Sequence, residues 1–242
     1  MAEKPSWSVI VLCYNEESTI EYVIERITTL YKPLVSELEI IIVDDGSKDK
    51  SVELVKAAMK VHPEIKLIKH KKNKGIGRSL VDGYKNATKE NVMNTPGDAQ
   101  WDYTELIPHI HLKDKTILSF YRLENTSYSL FRNILSFVNK TLNQIFLGIS
   151  MKDVNWVKAY RKDQLDRIDF EINSSLIETE ICSKLLYLDN HLIEVKSKYL
   201  ERKAGVSKGA SIKIVWQAFR ELFKLIFIIR GFRKRVSAGL YN

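Results

Sequence analysis

The stretch Glu39-Ile-Ile-Ile-Val-Asp-Asp-Gly-Ser-Lys-Asp49 decides the fold. Residues 40–43 form a short, wholly apolar, β-branched run, which reads as a strand buried on both faces of a parallel sheet. The run ends abruptly in Asp44, Asp45, Gly46, Ser47 and Asp49. Polar groups at the carboxyl end of a buried strand sit where open α/β sheets bind ligands. Two adjacent carboxylates repel each other, so the surroundings must supply hydrogen bonds or a cation. Taken alone, the stretch is equally a strand-turn-helix corner in which Ser47 or Asp49 caps the next helix.

The same unit recurs on either side. Towards the N-terminus, residues 8–12 (SVIVL) form a second apolar strand ending in Cys13, Tyr14, Asn15, Glu16 and Glu17, and a helical pattern follows to about residue 31. Towards the C-terminus come a helix over 50–61, a strand over 65–69, the segment Asn73-Lys-Gly-Ile-Gly-Arg78 and a helix to about residue 87. A strand over 91–94 then leads into Thr95-Pro-Gly-Asp-Ala-Gln-Trp-Asp102. Strands alternating with helices predict an α/β fold with a mostly parallel sheet and all polar tips at one edge. Gly75 and Gly77 at a helix start would let backbone N–H groups approach a phosphate. The third glycine of a dinucleotide fingerprint is missing, which disfavours a Rossmann dehydrogenase.

Past residue 102 the rhythm changes. A strand over 116–121 ends at Arg122, and an amphipathic helix over 128–147 carries Arg132 and Ser136 one turn apart. Residues 153–160 alternate as a strand does, 174–188 read as a helix holding Glu178 and Glu180, and 191–200 as a last strand running into Glu201-Arg-Lys-Ala-Gly-Val-Ser-Lys208. There is no internal repeat and no Pro/Gly-rich linker.

A chain of 242 residues with 45% apolar content supports one large domain, or one domain with a tail. Cys13 and Cys182 form no metal or disulfide pattern, which points to a reducing compartment. The N-terminus lacks a signal-type apolar region. The net charge is +8, and residues 198–235 hold 11 Lys/Arg against 2 Asp/Glu, leaving the remainder near −1. A near-neutral body with a basic tail is not the distribution of a nucleic-acid binder.

In that tail, Ile212, Val215, Trp216, Phe219, Leu222, Phe223 and Ile226 follow helical spacing, with Lys213, Gln217, Arg220 and Lys224 opposite and Arg230, Arg233, Lys234 and Arg235 after them. The charges interrupt the apolar run too often for a spanning helix. The expectation is a helix lying in an anionic membrane interface with that stripe buried in lipid. The alternative is a helix packed on the domain or on a second copy of the chain, as a homo-oligomer. His109 and His111, without further ligands, are not read as a metal site.

The ordered motifs VLCYNEE (11–17), IIIVDDGSKD (40–49), NKGIGRSLVDGY (73–84), PGDAQW (96–101), Arg122, ETE (178–180) and ERKAGVSK (201–208) resemble family 2 glycosyltransferases of the GT-A fold. The branch they resemble most is the dolichol- or polyprenyl-phosphate sugar synthases. The resemblance covers roughly residues 6–210. It implies a GT-A domain over 1–210 followed by a basic amphipathic tail over 211–242.

It also implies a UDP- or GDP-linked sugar donor, with Tyr14, Asn15, Glu16, Asp44 and Asp45 around the base and ribose and Gly75 and Arg78 on the same donor side. The family's Asp-x-Asp-x-Gln metal motif falls on Pro96, Asp98 and Gln100, so its first carboxylate is replaced by proline. A Mg²⁺ or Mn²⁺ centred on Asp98, with Gln100 beside it, is the implied cofactor. Arg122, Arg132, Ser136 and Arg202 match residues that grip the acceptor phosphate, and Arg202 also lies near the donor phosphates. The implied activity is inverting transfer of the sugar to a polyprenyl phosphate at the cytoplasmic face of a membrane, to which the protein binds peripherally. A phosphate acceptor needs no strong base; a saccharide hydroxyl would, and Asp153, Glu178 or Glu180 would then be candidates. Pro96 also leaves open a catalytically weak binding protein of the same fold.

Overall fold

The computed structural model describes residues 3–122, 144, 147–198, 200 and 212–240, with side chains in the last segment from residue 220 onward. The first half follows the strand-helix alternation: β1 (Ser6–Cys13), α1 (Ile20–Tyr31), β2 (Glu37–Asp44), α2 (Ser51–Ala58), β3 (Ile65–Lys69), α3 (Ile76–Asn86) and β4 (Asn91–Pro96). A 3₁₀ segment (Tyr103–His109) precedes β5 (Thr116–Arg122). After that come β6 (Lys158–Arg161), α4 (Lys162–Leu165), α5 (Ile177–Tyr187), β7 (His191–Ser197) and α6 (Ile212–Ser237).

The seven strands form one sheet in the order β3-β2-β1-β4-β6-β5-β7. Among the described residues its only antiparallel pairings are those of β6 with β4 and β5. The sequence reading drew this strand over 153–160. In the structure, residues 153–157 form a turn in which Asp153 Oδ1 accepts the Asn155 N–H at 3.1 Å. An aspartate that bonds the backbone two residues on favours a turn over a strand, whatever the alternation of its neighbours.

Side-chain alternation splits the core in two. Val9, Val11, Ile40 and Ile42 face one side with α1 and the 3₁₀ segment. Ile10, Ile41 and Val43 face the other with α3, α5 and α6. β1 has β2 on one side and β4 on the other, so the chain reverses its direction of winding there. The loops leaving the carboxyl ends of such neighbours splay apart and open a crevice. Gly97 keeps that edge tight: its N–H donates to Leu12 O at 2.9 Å, and a Cβ there would lie 2.6 Å from the same oxygen.

The tail stripe divides in the structure. Leu222 and Ile226, assigned to lipid from their spacing, are buried in the core with Leu225, Ile229 and Phe232, whereas Phe223 of the same stripe is exposed. Spacing identifies an apolar face but not its cover, and the domain covers these two residues. The helix drawn over 128–147 falls almost entirely outside the described residues, as do Arg132, Ser136 and Arg202.

Candidate functional site

A cleft of about 230 Å³ opens at the carboxyl edge of the sheet, at the boundary between β1 and β4. The tips of these strands supply Leu12, Pro96, Asp98 and Gln100, while Asn94 and Glu178 also line it and Arg122 and Trp156 form a further wall. Ala99, at the turn of the Asp98 tip, has φ of +58°, a left-handed backbone that costs a non-glycine residue about 1 kcal/mol or more. Strain of this kind persists where neighbouring contacts over-determine the loop.

Arg122 is held in place before any ligand arrives. Its Nε donates to Asp153 Oδ2 at 2.8 Å, and its guanidinium carbon sits 4.4 Å from the Trp156 ring centroid. The turn carrying both partners is fixed from beneath by the buried Lys158, whose Nζ donates to the carbonyls of Asp153 (3.2 Å) and Trp156 (3.4 Å). Stacking and the Nε bond fix the plane of the guanidinium, a group suited to planar anion recognition.

Glu178 lies at the buried end of the cleft. Oε1 accepts from Tyr84 Oη at 2.6 Å and Asn94 Nδ2 at 2.7 Å, and Oε2 accepts from Tyr160 Oη. Burial, reinforced by neighbouring groups including Glu178, pushes both tyrosine hydroxyls well above their ordinary value, so they stay neutral donors. Glu180, two residues further along the helix, is not part of this cluster. It is wholly buried, ion-paired to the buried Lys184, and accepts the backbone N–H groups of Glu171 and Ile172.

The donor-side candidates share the same sheet edge but are drawn into loop-to-loop bonds. Asn15 Oδ1 accepts the Lys48 N–H and its own N–H donates to Ser47 Oγ, both at 2.9 Å, which ties the loop after β1 to the loop after β2. The Glu16 N–H donates to Ser51 Oγ at 2.8 Å in the same seam, where Tyr14 lies half-buried. Asp44 accepts the Ser47 N–H. Asp45 accepts the Lys74 and Gly75 N–H groups at 2.8 and 2.9 Å and contacts His70 Nδ1 at 2.8 Å. The two N–H groups just before α3 are therefore engaged by a carboxylate. Gly75 faces a neighbouring cavity rather than the cleft. Arg78 pairs with Asp82 at 2.7 Å, and Asp82 also contacts His70 Nε2 at 3.0 Å. Burial alone would raise the Asp82 carboxyl, but hydrogen bonds from Arg78 and His70 hold it below the usual carboxylate range.

Whether the tip of β4 suits a divalent cation is decided by its donors. Asp98 contributes one carboxylate, Gln100 Nε2 donates to Leu200 O at 3.3 Å, and no cluster of three or more His, Cys, Asp or Glu occurs among the described residues. That set fits a Mg²⁺ or Mn²⁺ that completes its oxygen shell with substrate phosphates and water, and does not form an all-protein cage.

The glycosyl transferase family 2 model matches residues 8–167. The chain belongs to this family. Two family relatives are undecaprenyl-phosphate 4-deoxy-4-formamido-L-arabinose transferases. That of Photorhabdus laumondii is 29% identical over 215 residues, and that of Salmonella choleraesuis is 30% identical over 213. Each alignment covers 86% of this chain but 64% of the relative, so the chain spans less than two thirds of those proteins. Among solved structures, glucosyl-3-phosphoglycerate synthase from Mycobacterium tuberculosis, in complex with UDP, superposes with a TM-score of 0.65 at 17% identity, covering 92% of this chain and 80% of that one. A mannosyltransferase from Pyrobaculum calidifontis, in complex with GDP-Man and Mn²⁺, gives 0.60 at 20% identity, with coverage of 84% and 59%. The fold is GT-A.

Within this family 2 fold the structure brings Asp98, Gln100, Arg122 and Glu178 into one cleft, whose lining does not include Asn15, Asp44, Asp45 or Arg78. Sequence reasoning missed Asn94, Trp156, Lys158, His70 and the two tyrosines. One signal was available: Asn94 is an amide inside an otherwise buried strand, and a buried amide needs partners.

Proposed function

We propose that the chain is an inverting glycosyltransferase that moves a sugar from a UDP- or GDP-linked donor to a polyprenyl phosphate, bound peripherally at the cytoplasmic face of a membrane. The observation that carries this reading is the pairing of Asp98 with a pre-positioned Arg122 in one cleft at the carboxyl edge of the sheet. Support comes from the undecaprenyl-phosphate relatives and from the solved neighbours that hold UDP, or GDP-Man with Mn²⁺.

The acceptor class follows from the carboxylates. A saccharide hydroxyl needs a general base, yet Glu178 accepts three hydrogen bonds, Glu180 is paired with Lys184, and Asp153 holds Arg122. A phosphate acceptor is already anionic and needs no base. Its oxygen attacks C1 of the sugar from the face opposite the diphosphate. The C1–O bond to the diphosphate breaks, and its electron pair leaves on that oxygen. Arg122 would contact the incoming phosphate through its guanidinium. Arg132, Ser136 and Arg202 are proposed to share that task, with Arg202 also facing the leaving diphosphate. Gln100 holds Leu200 through its amide and backbone carbonyl, anchoring the approach to the 201–208 segment. A divalent cation held by Asp98, with Gln100 beside it, would neutralise charge on the departing diphosphate. Asn15, Asp44 and Asp45 act by shaping the donor-side loops, with Tyr14, Glu16, Gly75 and Arg78 in the same wall.

The test is a panel of radiolabelled UDP- and GDP-sugars with undecaprenyl and dolichyl phosphates, with and without chelator, followed by extraction into organic solvent. Label should enter the organic phase with one donor. Asp98→Ala should lower that transfer by roughly 100-fold or more. Label appearing only in water-soluble saccharide would overturn the lipid acceptor, and full activity in Asp98→Ala would remove Asp98 from the mechanism.

A further inference from the structure

We propose that the outward face of α6 is a docking surface for an anionic lipid bilayer, with Phe223 and Phe227 as its inserting pair. With Leu222, Leu225, Ile226, Ile229 and Phe232 buried in the domain, the helix presents a second, distinct stripe to solvent. Phe223 and Phe227 lie one turn apart and are 51% and 69% exposed. Arg220 and Lys224 on one side of Phe227, and Arg230 and Lys234 on the other, are also exposed. Of the stripe that spacing assigned to lipid, this surface keeps Phe223 and leaves out Leu222 and Ile226.

The occupant follows from charge and shape. Two large aromatics ringed by cations match an interface that is apolar at depth and anionic at its headgroups. A second copy of the chain fits poorly, because a two-fold contact would set these cations against their own equivalents. No described helix is long and apolar enough to cross a membrane, so the contact is interfacial. The position serves the site. Lys224 and Glu221 line a cavity of about 400 Å³ with Lys74, Ser174 and Ser175, and that cavity shares Ile76 and Ser175 with the Asp98 cleft. A bilayer on this face brings headgroup phosphates to the edge of the cleft. That last link rests on the proposed lipid acceptor; the docking itself does not.

The experiment is co-sedimentation of the full chain with vesicles of phosphatidylcholine alone or with 30 mol% phosphatidylglycerol (roughly the anionic content of a charged leaflet). Wild type should pellet with the anionic vesicles, and added salt should weaken it. Phe223→Ser/Phe227→Ser should lower the partition coefficient roughly tenfold or more. Arg230→Glu/Lys234→Glu should lower it roughly fivefold per charge removed. Thermal midpoint and UDP or GDP binding should hold in both variants. Equal vesicle binding by wild type and variants, no preference for anionic lipid, tighter binding to single-stranded RNA, or dimerisation lost in the variants would each overturn the proposal. Vesicle binding that depends on both phenylalanines, without lipid-phosphate glycosylation by any donor, would uphold the docking surface and sink the proposed acceptor. Transfer to detergent-solubilised polyprenyl phosphate with vesicle binding unaffected in the variants would do the reverse.

Discussion

Glu178 accepts three hydrogen bonds in a place water barely reaches, and those bonds define what it can do. A carboxylate so engaged orients its neighbours and is poorly placed to take a proton from a substrate. Glu178→Gln would turn one acceptor into a donor facing donor groups, a loss of about 1–3 kcal/mol for a buried mismatch. The denaturation midpoint of Glu178→Gln is expected to fall accordingly, while the pH–rate profile of transfer keeps its shape. Disappearance of one limb of that profile would make Glu178 a base after all. Arg122 was legible in the sequence as the end of a strand, and Asp98 through the resemblance to the family's metal motif. The roles of Tyr84, Tyr160 and Asn94 were not, because they meet Glu178 across 84 to 94 residues or, for Tyr160, from a different element.

At the scale of elements, α3 is the piece whose placement depends on a missing side chain. A Cβ on Gly77 would sit 2.0 Å from Ser174 O, a backbone atom that cannot step aside. Gly77→Ala should cost about 1–3 kcal/mol, or roughly 3–10 °C in thermal midpoint for a domain of this size. Gly231, within α6, has nothing within 4 Å of its added Cβ. Gly231→Ala is therefore expected to be neutral or to stabilise by about 0.5–1 kcal/mol through helix propensity. Calorimetry on the pair checks the contrast; similar losses in both would remove the steric account. In sequence, Gly75 and Gly77 were read as letting backbone N–H groups approach a phosphate. The structure adds that Asp45 takes the N–H groups of Lys74 and Gly75 and that Gly77 makes room for Ser174, contacts between distant segments that local spacing does not encode.

The whole molecule has a chemically distinct edge away from the cleft. Glu39, at the amino-terminal side of β2, is nearly buried and bonded to Ser8 of β1, Lys66 of β3 and Thr88 before β4. Burial raises its carboxyl, but the hydrogen bonds from Lys66, Ser8 and Thr88 more than offset that and hold it below its ordinary value of 4.5. A carboxyl depressed on folding stabilises fully above its unfolded value and loses that contribution as pH falls through the folded one. Stability should therefore decline with acid below about pH 4.5, and Glu39→Gln should flatten that decline while lowering stability at neutral pH. Denaturant melts at several pH values measure both, and an unchanged acid slope in the variant would exclude Glu39 as its source.

The sequence by itself determined the alternation of strands and helices, the single polar edge and the family, because buried strands and their tips are written in local runs of residue type. It also marked Asp98, Gln100 and Arg122. Only the tertiary structure decided which polar residues face the cleft and which tie loops together, and that Leu222, Leu225, Ile226, Ile229 and Phe232 of α6 turn inward while Phe223 and Phe227 turn outward. Periodicity fixes which residues share a face; what covers the face depends on where the rest of the chain has packed.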